Sequence, residues 1–264
     1  GAKESSGKII IKNSTVEAKG DYWSAGIGSS GSNTSSATLW NVTCGSIEIT
    51  DSTINSTGGY GGAGIGSGRG AQFESGASIL IKDSDVKANG GGKGAGIGAG
   101  ANGIGTMIEI GAGDNSDLAR GGEADIDIII RGKSKVEASG GYGAAGIGGG
   151  YEGGAKAVYI ELEDTKYESK GWKYYVKAYG GEGAAGIGSG GVYESDRNLI
   201  TQVGQDLGKI SITGGYVYAK GGKDYGLGAG AGIGGGARGG RLTGFYVTGG
   251  FVDANAGTST NGKH

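Results

Sequence analysis

The chain has 264 residues, among them 67 glycines, no proline, one cysteine and one histidine, and it carries a net charge of −2 from 24 basic and 26 acidic side chains. Signs so evenly mixed give a polyanion nothing to hold, so nucleic acid is not an expected partner. No apolar run reaches the ~18 to 20 residues of a membrane span, so membrane insertion is not expected either.

The first phrase occupies residues 8–28 and sets a pattern of apolar pairs, each pair separated by one residue. Ile9/Ile11 comes first, Val16/Ala18 starts seven residues later, and Ile27 of Ala25-Gly26-Ile27-Gly28 lies eleven residues beyond Val16. Period-two alternation marks a strand with one buried face, so the phrase reads as two short strands and a glycine-rich third segment. After a polar loop from Ser29 to Ser36, Thr38 to Thr43 is read as a further short strand, with Cys44 a small buried residue beside it. Asn13, Asn33, Asn41 and Asn55 head Asn-x-Ser/Thr triplets, which arise easily in so Ser/Thr-rich a stretch.

The second and third phrases keep the rhythm: Ile47/Ile49, Ile54/Ser56 and Ile65, then Ile79/Ile81, Val86/Ala88 and Ile97. Between Gly98 and Ile128 the chain lengthens into an alternating Met107 to Ile110 and a polar loop with Asp114, Asp117, Arg120, Glu123 and Asp125. A structural calcium in the Asp114 to Asp127 stretch has no support from spacing, and neither a metal nor a cofactor is expected. The fourth phrase has Ile128/Ile130, Val136/Ala138 and Ile147. In the fifth, Ile160/Leu162 is taken as the first pair, with a charged and aromatic insertion from Glu163 to Tyr174 before Val176/Ala178 and Ile187. The sixth runs Ile210/Ile212, Val217/Ala219 and Ile233, and the seventh stops after Phe245/Val247 and Val252/Ala254.

The motif isoleucines recur every 32 to 50 residues, too irregularly for propeller blades. A coil that winds once per phrase keeps its buried segments in step while outward loops vary, which predicts an all-β parallel β-helix, or β-solenoid, of six to seven coils. The organisation read from this is one domain over 1–264, with coils over about 8–255 and a loose polar tail over 256–264. Open coil ends expose strand edges and core, so coverage by flanking domains of a longer chain, by the tail or by association is expected.

His264 is the only histidine, which leaves no Ser-His-Asp triad, Cys-His pair or histidine-rich metal site to assemble. Paired carboxylates are the remaining catalytic option. Glu161 and Glu163 alternate around Leu162, and Asp125 and Asp127 around Ile126, each pair pointing to one face about 6.5 to 7 Å apart. Acidic residues on a solvated strand face are the commoner meaning of such pairs.

Positions flanking the Val-x-Ala pairs face outward and stack from coil to coil. One column runs Glu17, Asn55, Lys87, Glu137, Lys177, Tyr218, Asp253, whose middle alternates in sign as a cross-strand ladder should. The column before the pair changes from Thr15, Thr53, Asp85 and Lys135 to Tyr175, Tyr216 and Phe251, and Tyr179 and Tyr218 share that face. Five aromatics bordered by Lys177, Lys220 and Asp253 compose a flat surface on which sugar rings could stack. Stacked rings that only stabilise successive strands are the competing reading. Tyr22, Tyr60, Tyr142 and Tyr225, upstream of the glycine motifs, form a second candidate.

Runs such as Gly140-Gly141-Tyr142-Gly143-Ala144-Ala145-Gly146-Ile147-Gly148-Gly149 resemble repeats of secreted or surface-anchored bacterial proteins, over nearly the whole chain. The resemblance implies a right-handed parallel β-helix, an extracellular or cell-surface location, and a role in adhesion or carbohydrate binding, or as a structural spacer. It carries no catalytic residue over. The Gly-His-Gly and Asn-Thr-Asp elements of polygalacturonases and the ranked Thr-x-Thr faces of ice-binding solenoids are missing. Two expectations follow: a non-enzymatic module binding a glycan or cell-surface polysaccharide, or a polysaccharide-cleaving enzyme using a carboxylate pair.

Overall fold

The computed structural model describes residues 4–5, 7–31, 42–101, 123–151, 153–163, 166–167, 171–191, 207–224, 226 and 228–259. Among them every regular element is a strand, and three long parallel sheets carry the architecture. The first stacks Ile9–Lys12, Ile47–Thr50, Ser78–Lys82, Glu123–Gly132, Gly154–Leu162, Leu207–Gly214 and Leu242–Val247. The second stacks Thr15–Lys19, Thr53–Thr57, Asp85–Asn89, Lys135–Ser139, Tyr175–Tyr179, Tyr216–Lys220 and Phe251–Asn255. The third holds the six Ile-Gly pairs, from Ile27–Gly28 to Ile233–Gly234. Each phrase is one turn of a right-handed parallel β-helix, the hand that nearly all parallel crossovers adopt because strands twist to the right. The coils are numbered here one to seven by their second-sheet strands.

The core follows from the alternation. Ile27, Ile65, Ile97, Ile147, Ile187 and Ile233 pair in register down the third sheet, and the inner four are fully buried. Against them stand the Val-x-Ala residues and the paired isoleucines of the first sheet, each side chain withdrawing its apolar surface from water for about 1.5 to 3 kcal/mol. In the outermost coils the same positions have a neighbour on one side only. Ile9, Ile11, Val16 and Val252 are therefore half-buried, while Phe245 and Val247 are exposed.

One expected detail is corrected by the register. In the fifth coil Ile128 and Ile130 pair with Val158 and Ile160, so the core pair is Val158/Ile160 rather than Ile160/Leu162; Leu162 is buried too, past a register shift after Ile160. Of the further strand expected over Thr38 to Thr43, residues 38–41 lie outside the described residues; Val42–Cys44 is a strand between Glu4–Ser5 and Gln72–Phe73 in a three-stranded parallel sheet, and Cys44 is fully buried with its thiol directed at the Gly66 carbonyl, 3.3 Å away. The Glu163–Tyr174 insertion contains an antiparallel pair, Lys166–Tyr167 with Gly171–Trp172. Met107 to Ile110 and the polar loop up to residue 122 lie outside the described residues. The tail is not loose at its start, because Gly257 donates to the Gly230 carbonyl, Asp224 N–H to Thr258, and the Ser259 hydroxyl to the Asp224 carboxylate. These bonds continue the path of the preceding coil.

The corner between the first and second sheets explains why serine recurs there. Asn13, Asp51, Asp83 and Gly132 adopt left-handed backbone, which short polar residues and glycine tolerate best. A serine follows each time, directly as Ser14, Ser52 and Ser84, and one residue further on, past Lys133, as Ser134. Ser52 and Ser84 each donate a hydroxyl to the carbonyl two residues back at 2.7 Å. Each also accepts the N–H of the serine one coil earlier, Ser14 onto Ser52 at 3.2 Å, Ser52 onto Ser84 at 3.1 Å, and Ser84 onto Ser134 at 3.3 Å. Ser84→Ala removes a buried acceptor and leaves the Ser52 N–H orphaned, so chemical denaturation is expected to show a loss of about 1 to 3 kcal/mol. An unchanged midpoint would mean the ladder contributes nothing.

Candidate aromatic face

The second sheet turns its non-core residues outward, and its register aligns them as the sequence pattern predicts. Lys135, Tyr175, Tyr216 and Phe251 form one column, Glu137, Lys177, Tyr218 and Asp253 the next, and Ser139, Tyr179, Lys220 and Asn255 the third. Phe251 and Tyr179 are exposed, whereas Tyr175, Tyr216 and Tyr218 are half-buried because each lies against a ring or a lysine from an adjoining strand position. Tyr216 and Phe251 have ring centroids 5.8 Å apart at 31°, and Tyr179 and Tyr218 5.7 Å apart at 53°. The face is thus two tilted ring pairs, not the flat surface expected, since side chains on neighbouring strands splay to avoid eclipsing.

The polar groups on this face are fixed by the rings. Lys177 reaches Glu137 at 3.2 Å and sits 4.4 Å from the Tyr175 ring centroid, while the Tyr175 hydroxyl is 3.5 Å from the same carboxylate. Burial is the largest influence on Lys177 and works against its charge, yet the hydrogen bond to Glu137 together with the electrostatic effects of Tyr175, Glu137 and Tyr179 outweighs it and raises the pKa. Burial raises the Tyr175 and Tyr216 phenols, with Glu137 adding to the first and Asp253 to the second. Both phenols therefore remain protonated donors at neutral pH. Of the expected Lys87–Glu137–Lys177 ladder, the Glu137–Lys177 pair is formed.

The carboxylates are placed differently. Glu161 and Glu163 are both exposed, at the end of a first-sheet strand. Asp127 is half-buried, with one carboxylate oxygen that lacks a hydrogen-bond partner. Its alternation with Asp125, whose side chain lies outside the described residues, is interrupted by a register shift between Ala124 and Asp127. An acid–base pair needs one carboxyl withdrawn from water beside one that is not, and the exposed glutamates do not provide it. Among the described residues no group of three Asp, Glu, His or Cys gathers as a metal would need.

The second aromatic candidate is a cluster at the corner before the third sheet. Tyr22 meets Trp23 edge-on at 4.8 Å, Trp23 meets Tyr60 at 5.5 Å, and the Arg69 guanidinium lies 4.0 Å over the Trp23 ring. Burial lowers the Arg69 pKa from an already high value, so the cation persists and the contact is a cation–π pair in a low-dielectric setting. Further along, Tyr142 stacks on Tyr151 at 6.4 Å with Lys93 over the latter ring at 4.3 Å. Tyr225 lies outside the described residues. Trp23, Arg69, Lys93 and Tyr151 were not legible as partners, since they lie in turns, outside the strand spacing that aligns one coil with the next.

Five stretches, residues 9–31, 47–69, 79–101, 128–151 and 210–237, match the family model described as a beta helix repeat. Each begins at a first-sheet strand and ends just past an Ile-Gly pair, so one match spans one coil. Together with the stacked parallel sheets, these matches support a fold built of β-helix repeats. No curated protein and no solved structure matches the chain.

Proposed function

We propose that this β-helix is a non-enzymatic module of the cell surface or extracellular space that holds a glycan on its aromatic face. The observation that carries this reading is the run of Tyr175, Tyr216 and Phe251 in one column beside Tyr179 and Tyr218, over the last three coils only. Exposed rings with hydroxyl, lysine and carboxylate groups at their edges offer apolar faces to sugar C–H surfaces and hydrogen bonds to sugar hydroxyls. A pyranose unit also repeats along its chain at a distance close to the ~4.8 Å between coils, so successive sugars meet successive rings. Aromatics grouped on a surface without a partner favour aggregation, which makes a binding role the more economical account of their clustering.

A glycan array with the purified domain tests this, followed by product analysis on any hit to detect cleavage. The double variant Tyr216→Ala/Tyr218→Ala is expected to lose glycan retention while its melting temperature stays close to the parent's. A variant that loses stability, from a parent that retains no glycan, would mean the rings serve only as a strand-to-strand ladder. Cleavage products from the parent would instead favour the enzymatic alternative.

A further inference from the structure

We infer that this aromatic face selects acidic sugars, and that it does so through the lysine end of a groove at the corner between the first and second sheets. The inference rests on the glycan-binding reading for its sugar rings and adds the class of sugar. The groove encloses about 420 Å³ and crosses four coils, lined by Asp51, Asp83 and Asp85 from coils two and three and by Lys133, Lys135 and Lys173 from coils four and five. Ser52 and Ser84 of the serine ladder also line it, so this wall is built on rigid, hydrogen-bonded corners.

Its position relative to the rings decides the polarity. Thr53, Asp85, Lys135, Tyr175, Tyr216 and Phe251 are one registered column, so the groove runs directly into the aromatic face, and Lys135 is the residue next to Tyr175. Lys173 and Tyr174 of the lining immediately precede Tyr175 in the chain. A sugar stacked on Tyr175 therefore has Lys135 one coil away, about 4.8 Å along the axis, whereas Asp51 is three coils away, beyond the ~8 Å over which charges act at physiological salt.

On the ring face itself Lys177 and Glu137 are paired with each other, so the groove's own charges set the balance beside it. Asp83 accepts the Lys133 N–H at 2.7 Å and lies 3.7 Å from Lys82. Asp85 and Lys135 are register partners, yet no ion pair joins them among the described residues. The lysine ammonium groups are compact point charges that suit a carboxylate or a sulfate equally, so the shared feature is an anionic substituent on the sugar.

The test measures binding of matched-length oligomers to the whole domain by calorimetry, at low and high salt: acidic galacturonate and sulfated galactan, neutral cello-oligomers and cationic chitosan. The acidic oligomers are expected to bind at least about tenfold more tightly than the neutral one, a difference of ~1.4 kcal/mol. That advantage should vanish at high salt and in Lys133→Gln/Lys135→Gln, whose melting temperature should match the parent's. The galacturonate and sulfated arms tell which acid is preferred. Equal binding of neutral and acidic oligomers overturns the charge selection and leaves the aromatic reading standing, as does an unchanged preference in the lysine variant. Preference for chitosan overturns it in favour of the aspartate end. Binding of no oligomer removes the glycan reading and this inference with it.

Discussion

Ile97→Asp is expected to leave the domain without a cooperative unfolding transition. Ile97 is fully buried, pairs with Ile65 on one side and Ile147 on the other, and has only apolar core in front of it. A carboxylate there must either stay charged in a low-dielectric wall or take up a proton and remain without a partner. Either way the cost is several kcal/mol on top of the lost isoleucine contacts, against a total stability of order 5 to 15 kcal/mol. Because each coil touches only its neighbours, a break at the third coil separates the first two from the last four and removes the mutual support on which stacked coils depend. Ile97→Val, which keeps the apolar shape, should cost only about 0.5 to 1.5 kcal/mol. Circular dichroism during heating checks both, and a sharp transition in Ile97→Asp within a few degrees of the parent's would show that the column is not the core.

Gly98→Val should be nearly as damaging, for a reason located in the backbone. Gly98 has φ of 131°, a region side chains rarely adopt, and a Cβ built there runs into the carbonyl group of Gly148 on the next coil. The same geometry recurs at Gly66, Gly148 and Gly188, so the third sheet closes only if successive coils approach without side chains. Strain of about 1 to 3 kcal/mol from φ alone adds to the forced separation of two coils. Gly76→Ala makes the informative comparison: its φ is 76° but nothing lies within 4 Å of an added Cβ. That variant should show the conformational cost without the collision, about 1 kcal/mol. Equal midpoints for the two variants in urea would remove the close-approach argument.

Much of this molecule is written in local rules, which is why it could be read before folding. Alternation with period two assigns a face to every strand residue, so Val86/Ala88 and the isoleucines had to point inward and Lys87 outward. The aromatic columns follow from the same rule, because once Val176, Val217 and Val252 are in register, Tyr175, Tyr216 and Phe251 must align. Where an insertion breaks the spacing, parity alone fails: Val158, Ile160 and Leu162 all satisfy alternation, and only pairing with Ile128 and Ile130 selects the first two.

The sequence by itself thus determined the coil, its three sheets, its inward residues and the outward column that carries the aromatics, since all of these depend on spacing within one phrase. The tertiary structure alone decided what depends on contact between phrases. Ser52 and Ser84 meet across 32 residues and Ser84 and Ser134 across 50, so no window on the chain contains the ladder. The tilt of the ring pairs, the Arg69 guanidinium over Trp23, and the groove that joins three aspartates to three lysines belong to the same class. Loops of unequal length separate these residues in sequence. Stacking at a constant spacing between coils brings them together, because hydrogen bonding between parallel strands holds the axial repeat fixed whatever the loops do.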